Sequence, residues 1–203
     1  MYVLALTGGL AAGKSTATRV FAERGALVID TDDVAKGLLD EVPVVKERVV
    51  AAFGDGVLAP DGRVDRSALA RAAFATPEGT VRLNAIVHPA VGAAVAGALD
   101  ALSTANNTPP VVVLVVPLLA ESPQLLELVD AVLAISSAED VRIERAVARG
   151  MTYEDADNRV ARQAGDAERR EIADYVIEND SSLDEFHAAL VDFWEAEIAR
   201  RLP

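Results

Sequence analysis

Five short apolar runs punctuate the chain: Val3 to Leu6, Ala26 to Ile29, Val111 to Val116, Ala131 to Ile135 and Tyr175 to Ile177. Runs of this length, rich in Val, Ile and Leu and bounded by glycine or polar residues, predict strands buried on both faces. Longer stretches with helical periodicity separate them, so strand and helix alternate as in βαβ units. The predicted fold is α/β: a three-layer α/β/α domain around a mainly parallel, five-stranded sheet. Helix ends are marked by Gly25 after the first helix, by Ser137 before and Gly150 after a later one, and by Ser182 with Glu185 as a capping box.

Between Asp33 and Pro110 the pattern changes to helical segments interrupted by Gly54, Gly56, Gly62, Pro77 and Pro89, with no strand-like run. This predicts a helical lobe inserted over about 34–110. It splits a core of about 1–33, 111–140 and 171–203, and the remaining stretch, about 141–170, reads as a helical lid within the same single domain, 1–203. Asp65 is placed to cap the segment starting at Arg66, and Thr76 to cap one that has Pro77 at its first position.

Composition sharpens the class. A chain of 203 residues supports one sizeable core, and 51% hydrophobic residues with only 4% aromatics is a mixture of small aliphatics suited to buried strands under helices. A net charge of −13 argues against extended contact with nucleic acid, which needs clustered cations. The absence of cysteine excludes disulfides, thiolate metal ligands and cysteine nucleophiles, and suits a reducing, cytoplasmic compartment. Tyr2 to Leu6 lacks a basic leader and reads as a strand. The longest apolar run, Val111 to Ala120, is about half of what a bilayer-spanning helix needs, so no membrane span is expected.

The segment Gly8-Gly9-Leu10-Ala11-Ala12-Gly13-Lys14-Ser15 satisfies G-x-x-x-x-G-K-[ST] between a predicted strand and a predicted helix. Glycines let several backbone N–H groups turn inward onto a polyphosphate, and the helix that follows adds its positive end. Lys14 is placed to reach the β- and γ-phosphates, Ser15 to bind Mg²⁺ through its hydroxyl, and Thr16 to support the phosphates from the first turn. A glycine turn that binds nothing has no need of Lys14 and Ser15 at these offsets. The chain lacks an Asn-Lys dipeptide and a D-x-x-G sequence, so ATP fits better than GTP.

Asp30, Asp32 and Asp33 follow the second apolar run, at the sheet edge where open α/β folds bind ligands. Alternation along an extended backbone would point Asp30 and Asp32 to one side and leave Asp33 to cap the next helix. Asp32 is the candidate base, orienting an attacking hydroxyl and taking its proton late. The residues alone equally allow all three to be caps and solvated turn residues. From Arg142 to Arg170, seven arginines face six acids, a local positive excess in an acidic chain. Arg142, Arg145 and Arg149 fall on one helical face, and Gly150 and Gly165 bracket a segment able to close over phosphate. Ordinary salt bridging accounts for any one of these arginines. His187 lies in a C-terminal amphipathic stretch, and His88, by itself, reads as structural.

Taken in order, these motifs resemble the dephospho-coenzyme A kinase family along nearly the whole chain. The matching segments are Leu6-Thr7-Gly8-Gly9, Val28-Ile29-Asp30-Thr31-Asp32, Asp61-Gly62-Arg63-Val64-Asp65-Arg66, Leu83-Asn84-Ala85-Ile86-Val87-His88-Pro89, Val116-Pro117-Leu118-Leu119-Ala120-Glu121 and Val176-Ile177-Glu178-Asn179. The resemblance implies transfer of the ATP γ-phosphate to the ribose 3′-hydroxyl of dephospho-coenzyme A, with ATP and Mg²⁺ as cofactors. It implies Asp32 as base, Lys14 and Arg145 beside the reacting phosphate, and Arg149 and Asn179 with Gly8, Gly9, Ala11, Ala12, Gly13, Ser15 and Thr16 around the nucleotide. Arg66, His88 and Pro89 would receive the acceptor in the helical lobe. Three departures stand out: Ala11 where the family usually has a third loop glycine, a lid sequence Arg149-Gly150-Met151 one residue shorter than usual, and Asp180-Ser181 in place of a small glycine turn. Small-molecule substrates alone are expected as partners, without nucleic acid or membrane, for a monomer or weak homo-oligomer. The competing readings are another small-metabolite or nucleoside monophosphate kinase, and a P-loop ATPase with no acceptor.

Overall fold

The fold was established from a computed structural model, which describes residues 1–202. Two compact units divide the chain: residues 1–30 with 102–203, and residues 31–101.

The first unit is built on β1 (Tyr2–Gly8), β2 (Leu27–Asp30), β3 (Val111–Val115), β4 (Ala131–Ser136) and β5 (Tyr175–Glu178). Their order in the sheet is β2-β3-β1-β4-β5 and all four pairings are parallel. Every residue of β3 and β4 is buried, the two-faced burial that continuous apolar runs foretell. The connection from β3 to β4 crosses β1, so the carboxyl edge of β1 is a topological switch point. Register puts Gly8 beside Ile135 on β4, and Asp30, at the same edge, beside Val115 on β3. Helices α1 (Lys14–Glu23) and α9 (Leu183–Phe193) pack on the sheet through Phe21, Phe186 and Leu190, all essentially inaccessible. Phe21 stacks on Trp194, in the π-helical turn that continues α9. The arginine-rich region forms α6 (Glu139–Ala148), α7 (Tyr153–Arg162) and α8 (Asp166–Glu171), and belongs to this same unit.

The second unit holds α2 (Thr31–Glu41), α3 (Pro43–Phe53), α4 (Arg66–Ala73) and nearly all of α5 (Pro77–Ser103). Val45, Val49, Val57, Val64 and Leu69 form its own buried cluster. Asp65 caps α4 by accepting from the amides of Ser67 and Ala68, and the Thr76 hydroxyl accepts from Gly79.

Four expectations require correction. Pro89 breaks nothing: α5 runs unbroken through it. The proline deletes one backbone bond, to the carbonyl of Ala85, and both residues are exposed, so water can take the freed oxygen. The helix after β4 starts at Glu139 with Ala138, not Ser137, at its N-cap, and the Ser137 hydroxyl donates instead to Asp180 at 2.8 Å; its other end, at Ala148, is indeed marked by Gly150, which takes φ 95°. Helix α2 begins at Thr31, directly after β2, so strand alternation does not reach Asp32, and Asp33 lies inside the first turn, paired with Lys36 at 2.6 Å. Finally, α5 is by length and composition alone apolar enough to cross a bilayer, although no apolar run within it is unbroken over that length. Its buried positions Val91, Val95 and Leu99 recur every four residues, the stripe of a helix packed on one side.

Candidate active site

The turn from β1 into α1 is shaped by what surrounds it. At Gly13 the backbone takes φ 116°, and a Cβ there would lie 2.4 Å from Nδ2 of Asn179 and 2.9 Å from the Phe186 ring. At Gly9 a Cβ would lie 2.3 Å from Nη1 of Arg142. Gly13 is held by its φ and its neighbours, whereas a side chain at Gly9 would have to displace the Arg142 guanidinium, so the glycines serve close approach as well as freedom of turn. Ala11 sits in the left-handed region at φ 56°, where an L-residue is strained by about 1–2 kcal/mol. Its methyl packs beside Leu10 and Met151 against Ile143, Ala146 and Val160, a contact glycine would not make.

Within the loop, the Lys14 ammonium donates to the carbonyls of Gly8 at 2.7 Å and Gly9 at 3.0 Å, folded back across the turn. Ser15 is exposed at the start of α1 and Thr16 is half-buried. The amides of a helix's first turn lack acceptors within that helix, which suits this end for an anion.

Two side chains grip the loop from outside, and a third braces one of them. Gln163, just past α7, accepts from the Leu10 N–H at 2.8 Å. Asn179, 6% exposed, donates through Nδ2 to the Ala12 carbonyl at 2.7 Å. Arg145 donates to the Asn179 carbonyl at 2.8 Å and reaches its side-chain oxygen at 3.4 Å. Asp180 accepts from the Ala138 N–H at 2.8 Å, placing a carboxylate at the positive end of α6. The departure from the family pattern at Asp180 thus anchors the helix that carries the arginines.

Electrostatics divides the arginines that one shared face suggested were alike. Arg142 is 2% exposed and Arg169 4%, whereas Arg149 is exposed. Burial, then the like charge of Arg142, hold the Arg169 guanidinium below its usual pKa. For Asp166, burial acts upward, but hydrogen bonds from Arg170 at 2.6 Å and Ser136 at 2.9 Å outweigh it and keep the carboxyl below the ordinary range. Arg170 also pairs with Glu178.

Gly8, Gly9, Ala11, Ala12, Gly13, Lys14, Ser15, Thr16, Arg145 and Asn179 thus come together in the sheet unit. Arg149 is adjacent, lining a 270 Å³ groove with Leu10, Ala11, Gly150 and Met151. Asp32, Arg66, His88 and Pro89 belong to the helical unit. There Asp32 is exposed in the first turn of α2, and Arg66, at the start of α4, pairs with Asp40 on the rim of a 450 Å³ groove that Arg63 and Ser67 also line. His88 and Pro89 lie midway along α5. Gln163 carries no motif that a sequence could reveal, and Arg142, grouped by its helical face with Arg145 and Arg149, is set apart from them by a burial that has no local signature. Among the described residues no cluster of three or more acidic or histidine side chains stands ready for a metal. The donor that fits Mg²⁺ is the exposed Ser15 hydroxyl, since this ion keeps several waters and is commonly held through substrate phosphates.

A loop of this build, at the switch point of a parallel sheet and beside buried arginines, defines a P-loop kinase. The family model for dephospho-CoA kinase matches residues 2–185. The chain is 42% identical to the dephospho-CoA kinase of Streptomyces avermitilis, covering 99% of this chain and 96% of that one. Among solved structures it is similar to the dephospho-CoA kinase of Campylobacter jejuni, with TM-score 0.71, 25% identity and 95% of each chain covered. Shikimate kinase from Acinetobacter baumannii shares the fold at TM-score 0.55, 16% identity, over 98% of this chain and 96% of that one. The chain belongs to the dephospho-CoA kinase family.

Proposed function

We propose that this protein transfers the γ-phosphoryl group of ATP to the ribose 3′-hydroxyl of dephospho-coenzyme A, releasing coenzyme A and ADP in the last step of coenzyme A synthesis. The observation that carries this is family membership over nearly the whole chain, joined to a phosphate loop in which lysine, glycines and helix start stand in one rigid frame.

In this reading the triphosphate lies along the amides of the loop through Thr16, with Lys14 leaving the Gly8 and Gly9 carbonyls to meet the β- and γ-phosphates. Mg²⁺ would be held by Ser15 and the phosphates, neutralising charge that develops on the bridging oxygen. Asp32 orients the 3′-hydroxyl and accepts its proton as the new O–P bond forms and the bond from the γ-phosphorus to ADP breaks. Most of the acceleration is then positioning and electrostatics, because a loose transition state leaves little work for a strong base. Arg145 and Arg149 act near the nucleotide, Asn179 holds the loop's shape next to it, and Arg66, His88 and Pro89 contribute to acceptor binding from the helical unit. An acidic surface is compatible with anionic substrates where local cations outweigh it within a Debye length. The reaction partners are small molecules, not nucleic acid or membrane, for a cytoplasmic monomer or weak homo-oligomer.

The test is coupled ADP release with MgATP, with and without dephospho-coenzyme A, on wild type and on Lys14→Ala. Release that requires the acceptor, and that Lys14→Ala abolishes, is expected. ADP release indifferent to the acceptor would instead favour a P-loop ATPase, and use of nucleoside monophosphates alone would reassign the substrate.

A further inference from the structure

We propose that Arg142 is a direct ligand of the nucleotide's polyphosphate, with Arg169 behind it, forming an anion subsite against Gly9; this rests on the kinase reading above. Arg142 is 2% exposed, and its guanidinium is only partly matched. Nε donates to the Ser137 carbonyl at 3.0 Å, and Nη2 stands 3.7 Å from Glu139, a carboxylate that is itself mostly in solvent. Nη1 is buried and has no hydrogen-bond partner among the described residues. It lies against Gly9, where a Cβ would come within 2.3 Å of it, and Gly9 is also the residue whose carbonyl Lys14 holds.

The surroundings make that vacancy informative. Arg169, 4% exposed, lies close enough for the two positive charges to repel, and the acids Asp166, Glu168 and Glu121 act on it in the opposite sense without cancelling its burial and that repulsion. Asp166 is already engaged with Ser136 and Arg170. Buried charge without a matched counterion is unfavourable, and a second cation beside it adds to the cost. A multiply charged anion at the loop reverses the sign: each guanidinium gains a charge-assisted bond, and repulsion turns into shared attraction. A purely structural prop for Gly9 would need neither the charge nor the open N–H.

The two roles separate in binding and stability measured together. Calorimetry with sodium tripolyphosphate and with MgATP, alongside thermal unfolding, would be run on wild type, Arg142→Gln and Arg142→Lys. Removal of an anion ligand is expected to weaken tripolyphosphate by about tenfold or more, while the ligand-free melting temperature stays level or rises. Arg142→Lys, which keeps the charge but loses the second prong, is expected to fall between the two in affinity. Wild-type tripolyphosphate affinity in Arg142→Gln, whether or not its melting temperature drops, would overturn the proposal; if that variant does not fold, wild-type affinity in Arg142→Lys would do so. Wild-type protein that binds neither ligand would bring down the kinase reading as well, so the two failures are told apart.

Discussion

The phosphate loop and the helical unit solve different problems with different materials. Around the loop, recognition is built from backbone: Leu10, Ala12, Gly8 and Gly9 are each fixed by a named side chain through main-chain atoms. In the helical unit the residues singled out are side chains on helices, such as Asp32 in an exposed first turn and Arg66 half-exposed and paired with Asp40. A polyphosphate is a generic shape that a preformed frame can fit, whereas an acceptor must be told from its analogues by side-chain chemistry. Changes around the loop should therefore disturb nucleotide binding, and changes in the helical unit should disturb acceptor use alone.

Lys14→Ala carries the largest expected effect. Turnover should fall by ~10³-fold or more, in line with loss of a preorganised charge donor, and ATP affinity should fall with it, read by steady-state kinetics and calorimetry. Asp32→Asn should lower turnover by about 10²-fold with ATP affinity unchanged; a matching loss of ATP affinity would erase the contrast between the units. Asn179→Ala should destabilise by about 1–3 kcal/mol, because the buried Ala12 carbonyl and Arg145 each lose a partner, a fall of roughly 2–4 °C per kcal/mol in a melting curve. Asp166→Asn should lower stability modestly at neutral pH and flatten its dependence on acid. A carboxyl held below its usual pKa adds stability that is fully present above about pH 4 and is lost as pH falls through the lower, folded value, so the variant's melting temperature should change less than wild type's between pH 5 and 3. Smallest is Ala11→Gly, expected to gain no more than about 1 kcal/mol as relief of the φ 56° strain is offset by the lost methyl contact and a floppier unfolded chain.

How much of this was legible in the chain follows the same divide. All five strands stood out as short runs dominated by apolar residues, most plainly β3 and β4, which are buried along their whole length, while β2 and β5 at the edges are only partly buried. The loop was legible because its chemistry is local, eight consecutive residues at fixed offsets. Caps at Asp65, Thr76 and Ser182 were legible for the same reason. What escaped depends on partners far away in sequence. Gln163 meets Leu10 across 153 residues, and Arg142 is buried by elements that its helical face cannot announce. Pro89 misled because a breaker acts on one backbone bond, while 27 residues of helix supply the rest. The join of β2 to α2 misled because alternation assumes an extended chain, which ends at Asp30.

The most direct measurement follows the phosphorus itself. Phosphorus NMR of wild type with MgATP and dephospho-coenzyme A should show one new monoester, on the ribose 3′-oxygen, appearing in step with ADP. Inorganic phosphate in its place, or a phosphoryl group on another position of the acceptor, would contradict the assignment.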